Sequence, residues 1–134
     1  MPALSETLNF VPLNTPSSTS TTAVVYPNSG TSTIVFISNK VKGDGYYGGS
    51  DGLHTVMYTA NSDFVGTITI QATLASSPSN NDWFNVTNSS VTYTQINERS
   101  TSTVDLINFI GNFVWIRGYV SINDGSVESI LYNH

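Results

Sequence analysis

The chain offers one literal catalytic pattern. Gly48-Gly49-Ser50-Asp51-Gly52 reads as G-x-S-x-G, and His54 follows within four residues of Ser50. That spacing activates a serine only where a sharp turn joins a strand to a helix above a large α/β sheet. Here the serine lies in the glycine-dense stretch 43–52, and no helical pattern follows it. The match is composition, not chemistry. Asp44, Asp51 and Asp63 could offer oxygens to calcium, but their spacing fits neither an EF-hand nor a Gly-rich tandem repeat, so they read as solvated turn residues. His54 and His134 are the only imidazoles, and neither has an acidic partner at helical metal-binding spacing. Glu6, Glu98 and Glu128 are too scattered to be assigned as facing carboxylates of a glycosidase. The expectation is a chain with no catalytic set, no metal and no cofactor: a binding or structural module, not an enzyme.

Binding chemistry has better candidates. Tyr46, Tyr47 and Trp83 are aromatics that could stack on a sugar, which makes a carbohydrate-binding module for host-surface adhesion the alternative function. The plainer reading is that Trp83-Phe84 anchors a strand start and that Tyr46-Tyr47 packs a loop.

These residues must be held by a single domain, because 134 residues suffice for one core and not for two. Only 10% of the residues are charged, and Ser, Thr, Asn and Gly supply most of the polarity, a composition suited to strand faces and tight turns. Net charge is −5, with Lys40, Lys42, Arg99 and Arg117 as the only cations. Four scattered positives cannot neutralise a row of phosphates, so neither nucleic acid nor an anionic membrane is an expected partner. Residues 1–8 have neither the basic start nor the apolar centre of a signal peptide, and no apolar run reaches a membrane span. With no cysteine, disulfides and thiolate metal sites are excluded.

From Ala23 onward the hydrophobic period is two, with β-branched residues throughout and no capped helical window. Strands are expected at 23–26, 33–38, 53–60, 66–74, 83–86, 90–96, 101–107, 112–122 and 126–132. Along 66–74, Ile68, Ile70, Ala72 and Leu74 alternate with polar residues and mark a core face. This pattern predicts an all-β fold: an antiparallel β-sandwich, jelly-roll-like, over 23–134. Residues 1–22 break from it with Pro2, Pro12, Pro16 and a Ser/Thr run, and read as an extended N-terminal arm that docks through Phe10, Val11 and Leu13.

Asn123-Asp124-Gly125-Ser126 carries the composition of a two-residue type I′ hairpin turn. The register that follows puts Val114, Ile116, Val120, Ile122, Val127 and Leu131 inside. It puts Phe113, Trp115, Arg117 and Tyr119 outside, beside Glu128, Ile130 and Tyr132. An outer face so aromatic needs a cover. A loop or the arm would serve, and so would a partner protein gripping Phe113, Trp115, Arg117, Tyr119 and Tyr132.

Two stretches carry a family resemblance. One is Met57-Tyr58-Thr59-Ala60-Asn61, then Phe64 through Leu74, Pro78 and Asp82-Trp83-Phe84; the other is Asn108 through Arg117 with the ending Ile130-Leu131-Tyr132-Asn133-His134. Over residues 53–134 the chain resembles small virion structural proteins of T4-like, contractile-tailed cyanophages. The resemblance implies a non-enzymatic particle component that decorates or joins the capsid, neck or tail. It also implies many copies, made in the host cytoplasm, whose partners are other virion proteins and further copies of itself. It transfers no active-site residue.

Overall fold

The computed structural model describes residues 5–13, 20–26, 33–48, 52–94 and 102–134. Among these residues it holds twelve strands and one turn of 3-10 helix, arranged as two antiparallel sheets packed into a sandwich. The strands are β1 (Glu6–Thr7), β2 (Phe10–Pro12), β3 (Val24–Val25), β4 (Ile34–Ser38), β5 (Val41–Lys42) and β6 (Leu53–Ala60). They continue with β7 (Val65–Thr73), β8 (Phe84–Asn85), β9 (Val91–Tyr93), β10 (Thr103–Ile110), β11 (Trp115–Asp124) and β12 (Ser126–Asn133). The 3-10 helix spans Asp44–Tyr47.

One sheet runs β1-β12-β6-β10, with β3 also on β12; the other runs β2-β4-β11-β7-β8, with β5 on β11 and β9 on β7. From β3 onward, the main strands alternate between layers in the order expected of a jelly roll: β3, β12, β6, β10 against β4, β11, β7, β8. The inner faces follow from alternation. His54, Val56, Tyr58 and Ala60 of β6 are buried, as are Ile68, Ile70 and Ala72 of β7 and Ile116, Val120 and Ile122 of β11. Leu74 falls one residue beyond the end of β7 and is exposed, unlike its predicted role.

Two expectations about the end of the chain also differ from the structure. Asp124-Gly125 does not close a hairpin, because β11 and β12 lie in opposite sheets. Gly125 instead turns a corner: its φ is +73°, and a Cβ there would lie 2.2 Å from the Asp63 carbonyl oxygen. Positive φ with no room for a side chain selects glycine at a corner as firmly as in a hairpin. The register beyond it also shifts. A bulge between Val127 and Ser129 against β6 advances the phase of β12, so Ile130 and Tyr132 are buried and Leu131 faces outward.

The N-terminal segment is not a free docking arm. β1 pairs with β12 and β2 with β4, so residues 6–12 pass from one sheet to the other. Leu8 donates its N–H to the Ile130 carbonyl, while Phe10 exchanges backbone hydrogen bonds with Thr21. Leu8 and Phe10 are core residues, and Val11 and Leu13 are half-buried. Gly118 shows how tightly this segment fits: a Cβ there would meet the Phe10 ring at 2.8 Å and Leu8 at 3.2 Å. Pro12 is tolerated because it ends β2, at the edge of its sheet.

Candidate functional site

Three regions among the described residues bear chemistry, and they adjoin: Tyr46 links the first to the second, and Leu53 the second to the third. The first is the outer side of the seven-stranded sheet, where β11 presents Trp115, Arg117 and Tyr119. The following loop of β7 covers much of it. Trp115 donates its Nε1–H to the Ser76 carbonyl at 3.0 Å. Arg117 is buried, donates Nε–H to Gln71 Oε1 at 2.8 Å, reaches Asn80 Oδ1 at 3.4 Å, and stacks 4.5 Å from the centre of the Trp83 ring. Burial lowers the Arg117 pKa, yet a guanidinium starts so high that it stays charged. Phe113 and Tyr132, predicted to share this face, do not. Phe113 precedes β11 and turns toward Phe109, Phe84 and His54, while Tyr132 is in the core because of the β12 bulge.

The second region is the sandwich end around the 3-10 helix. Tyr46 and Tyr47 are exposed, but their rings meet edge-on, with centroids 5.3 Å apart and planes 78° apart. The Lys42 ammonium lies 4.7 Å from the centre of the Tyr46 ring, and Lys40 lies equally close to that of Trp115. Tyr46 also abuts Trp115 at 5.1 Å. Tyr47 stacks on His134 at 5.4 Å. Trp83 carries Arg117. The three aromatics predicted as a sugar platform are therefore each engaged with protein groups, and Tyr46 and Tyr47 are not coplanar.

Beside them Asp44 joins distant parts of the chain. One carboxylate oxygen accepts the Gly52 N–H and the other bonds His134 Nδ1, both at 2.8 Å. These contacts, the Gly52 N–H above all, hold its pKa below the usual carboxylate range, so it is ionised at neutral pH. A 360 Å³ cleft opens here, lined by Asp44, Leu53, Thr55, Asn133 and His134. It adjoins a 260 Å³ apolar cleft that shares Thr55 and Asn133 and is floored by Met57 and Leu131. Behind the cleft His54 is fully buried, stacked at 4.8 Å on Phe109 and at 5.8 Å on Tyr132. Neither of its ring nitrogens has a hydrogen-bond partner among the described residues. Burial pushes its pKa down, opposed in part by the Gly52 backbone and the Asp44 charge. Serine chemistry has no scaffold here: the segment after the 3-10 helix leads into β6, not into a helix, and Gly49–Asp51 lie outside the described residues. No group of three metal-ligating side chains forms among the described residues.

The third region escaped sequence reasoning. On the outer face of the five-stranded sheet, Leu106 of β10 sits beside Met57 of β6, and Met57 beside Leu131 of β12; Ile110 sits beside Leu53. Leu53, Met57, Val104, Leu106 and Ile110 are between 39% and 76% exposed, an uncharged row along one face in which the hydrogen-bonded Thr55–Asn108 pair separates Leu53 and Ile110 from Met57 and Leu106. Single exposed apolar residues are ordinary; several grouped on one face are not. The signal was present in Thr103–Ile110, where Val104, Leu106 and Ile110 are as apolar as Ile107 and Phe109 of the opposite phase.

No family model matches the chain, and no curated protein does. Among solved structures it is similar to the K2 cleaved adhesin domain of Lys-gingipain, at 12% sequence identity and a TM-score of 0.44. That likeness covers 76% of this chain, which spans 64% of the adhesin chain.

Proposed function

We propose that this chain is a non-enzymatic structural protein of a phage particle, seated among other virion proteins and copies of itself. The observation that carries the reading is the uncharged apolar row Leu53, Met57, Val104, Leu106 and Ile110 on the outer face of the five-stranded sheet. A rigid sandwich hides its own core yet leaves this row in water, and burying it against a neighbour removes several hundred Å² of apolar surface from solvent. Repetition multiplies a modest contact: on a symmetric lattice each copy is held by several weak interfaces at once. The resemblance of residues 53–134 to cyanophage virion proteins supplies the setting. The row lies within that stretch.

The test is incorporation. Leu106→Lys places a charge at the centre of the row, on a side chain that is already exposed. The variant should melt like the wild type, while its amount in purified particles, measured by quantitative mass spectrometry, should fall at least tenfold. Wild-type protein missing from purified particles would defeat the proposal outright. Unchanged incorporation of Leu106→Lys would remove the apolar row as its basis.

A further inference from the structure

We infer that the cleft between Asp44, Leu53, Thr55, Asn133 and His134 is a binding site for a neutral carbohydrate, presented as a pyranose ring. The site is separate from the apolar row's role in assembly and stands on different side chains, Leu53 alone being shared. Its volume, 360 Å³, lies in the range of small-ligand sites and is large enough for one sugar residue.

The lining matches that chemistry group by group. A sugar hydroxyl both donates and accepts, so its site needs both roles within a few ångströms. Asp44 supplies an acceptor: each carboxylate oxygen already takes one protein hydrogen bond and retains lone-pair capacity. Thr55 donates its own hydroxyl proton to Asn108 Oδ1 at 2.7 Å, which leaves Oγ1 free to accept. The exposed Asn133 side chain offers an amide N–H₂ and a carbonyl. Among the described residues His134 is hydrogen-bonded through Nδ1, and its Nε2 keeps the capacity for one more bond. Leu53 gives an apolar surface to the C–H face of the ring. The polar groups are also held in place. His134 is clamped between the Asp44 carboxylate and the stacked Tyr47 ring, and Asp44 is fixed by the Gly52 N–H. Ordering before binding saves the entropy that a weak ligand must otherwise offset.

Charge narrows the class. Asp44 stays ionised, so a uronate or sialate carboxylate would meet like charge, and neutral sugars are favoured. This assignment replaces the platform predicted from Tyr46, Tyr47 and Trp83: of these only Tyr47 takes part, and it acts by positioning His134.

The experiment is an NMR titration of the isotope-labelled chain with glucose, galactose, mannose and N-acetylglucosamine, each carried into the tens of millimolar. At least one sugar should give saturable shifts at the Asn133 side-chain amide, the His134 ring and the Thr55 backbone, with Leu106 and Trp83 unmoved. Asn133→Ala, at an exposed side chain, should weaken that sugar about tenfold while leaving the melting transition intact. Leu106→Lys should bind it as the wild type does. No saturable shift with any of the four sugars, or shifts centred on Trp83, would overturn the site. Either result would leave the assembly proposal standing, since incorporation into particles is read independently.

Discussion

A histidine in the core is a proton acceptor without a destination. His54 is fully buried between Phe109 and Tyr132, and neither of its nitrogens is bonded among the described residues. Charging it there costs desolvation that the Gly52 backbone and the Asp44 charge repay only in part, so its pKa is lowered from the ordinary value of about 6.5. The sign follows from proton counting. Between the unfolded value and the lower folded one, only the unfolded chain takes up the proton, so stability is fully present above about pH 6.5 and declines as pH falls through that window. Denaturant midpoints measured across this range should show the decline in the wild type and lose that component in His54→Phe. Parallel pH profiles for the two proteins would refute it. From the sequence His54 was legible only as the neighbour of a chance serine pattern and as a poor metal ligand. Its burial comes from its phase with Val56 and Tyr58 along β6, an alternation that no single residue type announces.

Among elements, period-two reading recovered most strands, with β6 falling on its predicted span and β7 shifted by one residue. It failed where local chemistry is ambiguous. Ile130 and Leu131 are equally apolar, so nothing in their types reveals that a bulge at Val127–Ser129 sends the first inward and the second outward. Asp-Gly likewise serves a corner between sheets as well as a hairpin. The ends of the five-stranded sheet show another device. Glu6 of β1 and Asp105 of β10 are register partners of the buried Tyr132 and Tyr58, yet both are exposed, so each of these two edge strands sets a carboxylate at the open rim of the sandwich. Charges on edge strands discourage pairing with another chain. Asp105 does so twice over. Gly111 donates to Gly52 on the β6 side, so ladder alternation turns the Leu106 N–H toward the open edge, and Asp105 Oδ1 accepts it at 2.8 Å. Asp105→Val should therefore raise concentration-dependent association above the wild-type level in analytical ultracentrifugation, with the fold retained. Equal sedimentation of the two proteins would show that the carboxylate guards nothing.

For the molecule as a whole, the jelly-roll order was within reach of the sequence because nine short runs and their turns leave few other solutions. The place of the N-terminus was not. Its prolines and Ser/Thr run argue against a private core, which is true, but a short extended segment can close a core built by others. β1 and β2 do this: each adds to a different sheet, and Leu8 and Phe10 fill the space that Gly118 leaves open. The consequence can be measured. Phe10→Ala removes a fully buried ring, and the cavity should cost roughly 3–5 kcal/mol, against a total of about 5–15 for a domain of this kind. Urea denaturation should show a midpoint lowered in proportion, with an unchanged slope if the rest of the sandwich still unfolds as one unit. Deleting residues 5–13 should remove the cooperative transition altogether, because it strips β12 and β4 of partners as well as the core of two side chains. A docking arm would behave in the opposite way. Both changes would then leave melting within a few degrees of the wild type and act only on attachment to particles, and that outcome would return the segment to the surface.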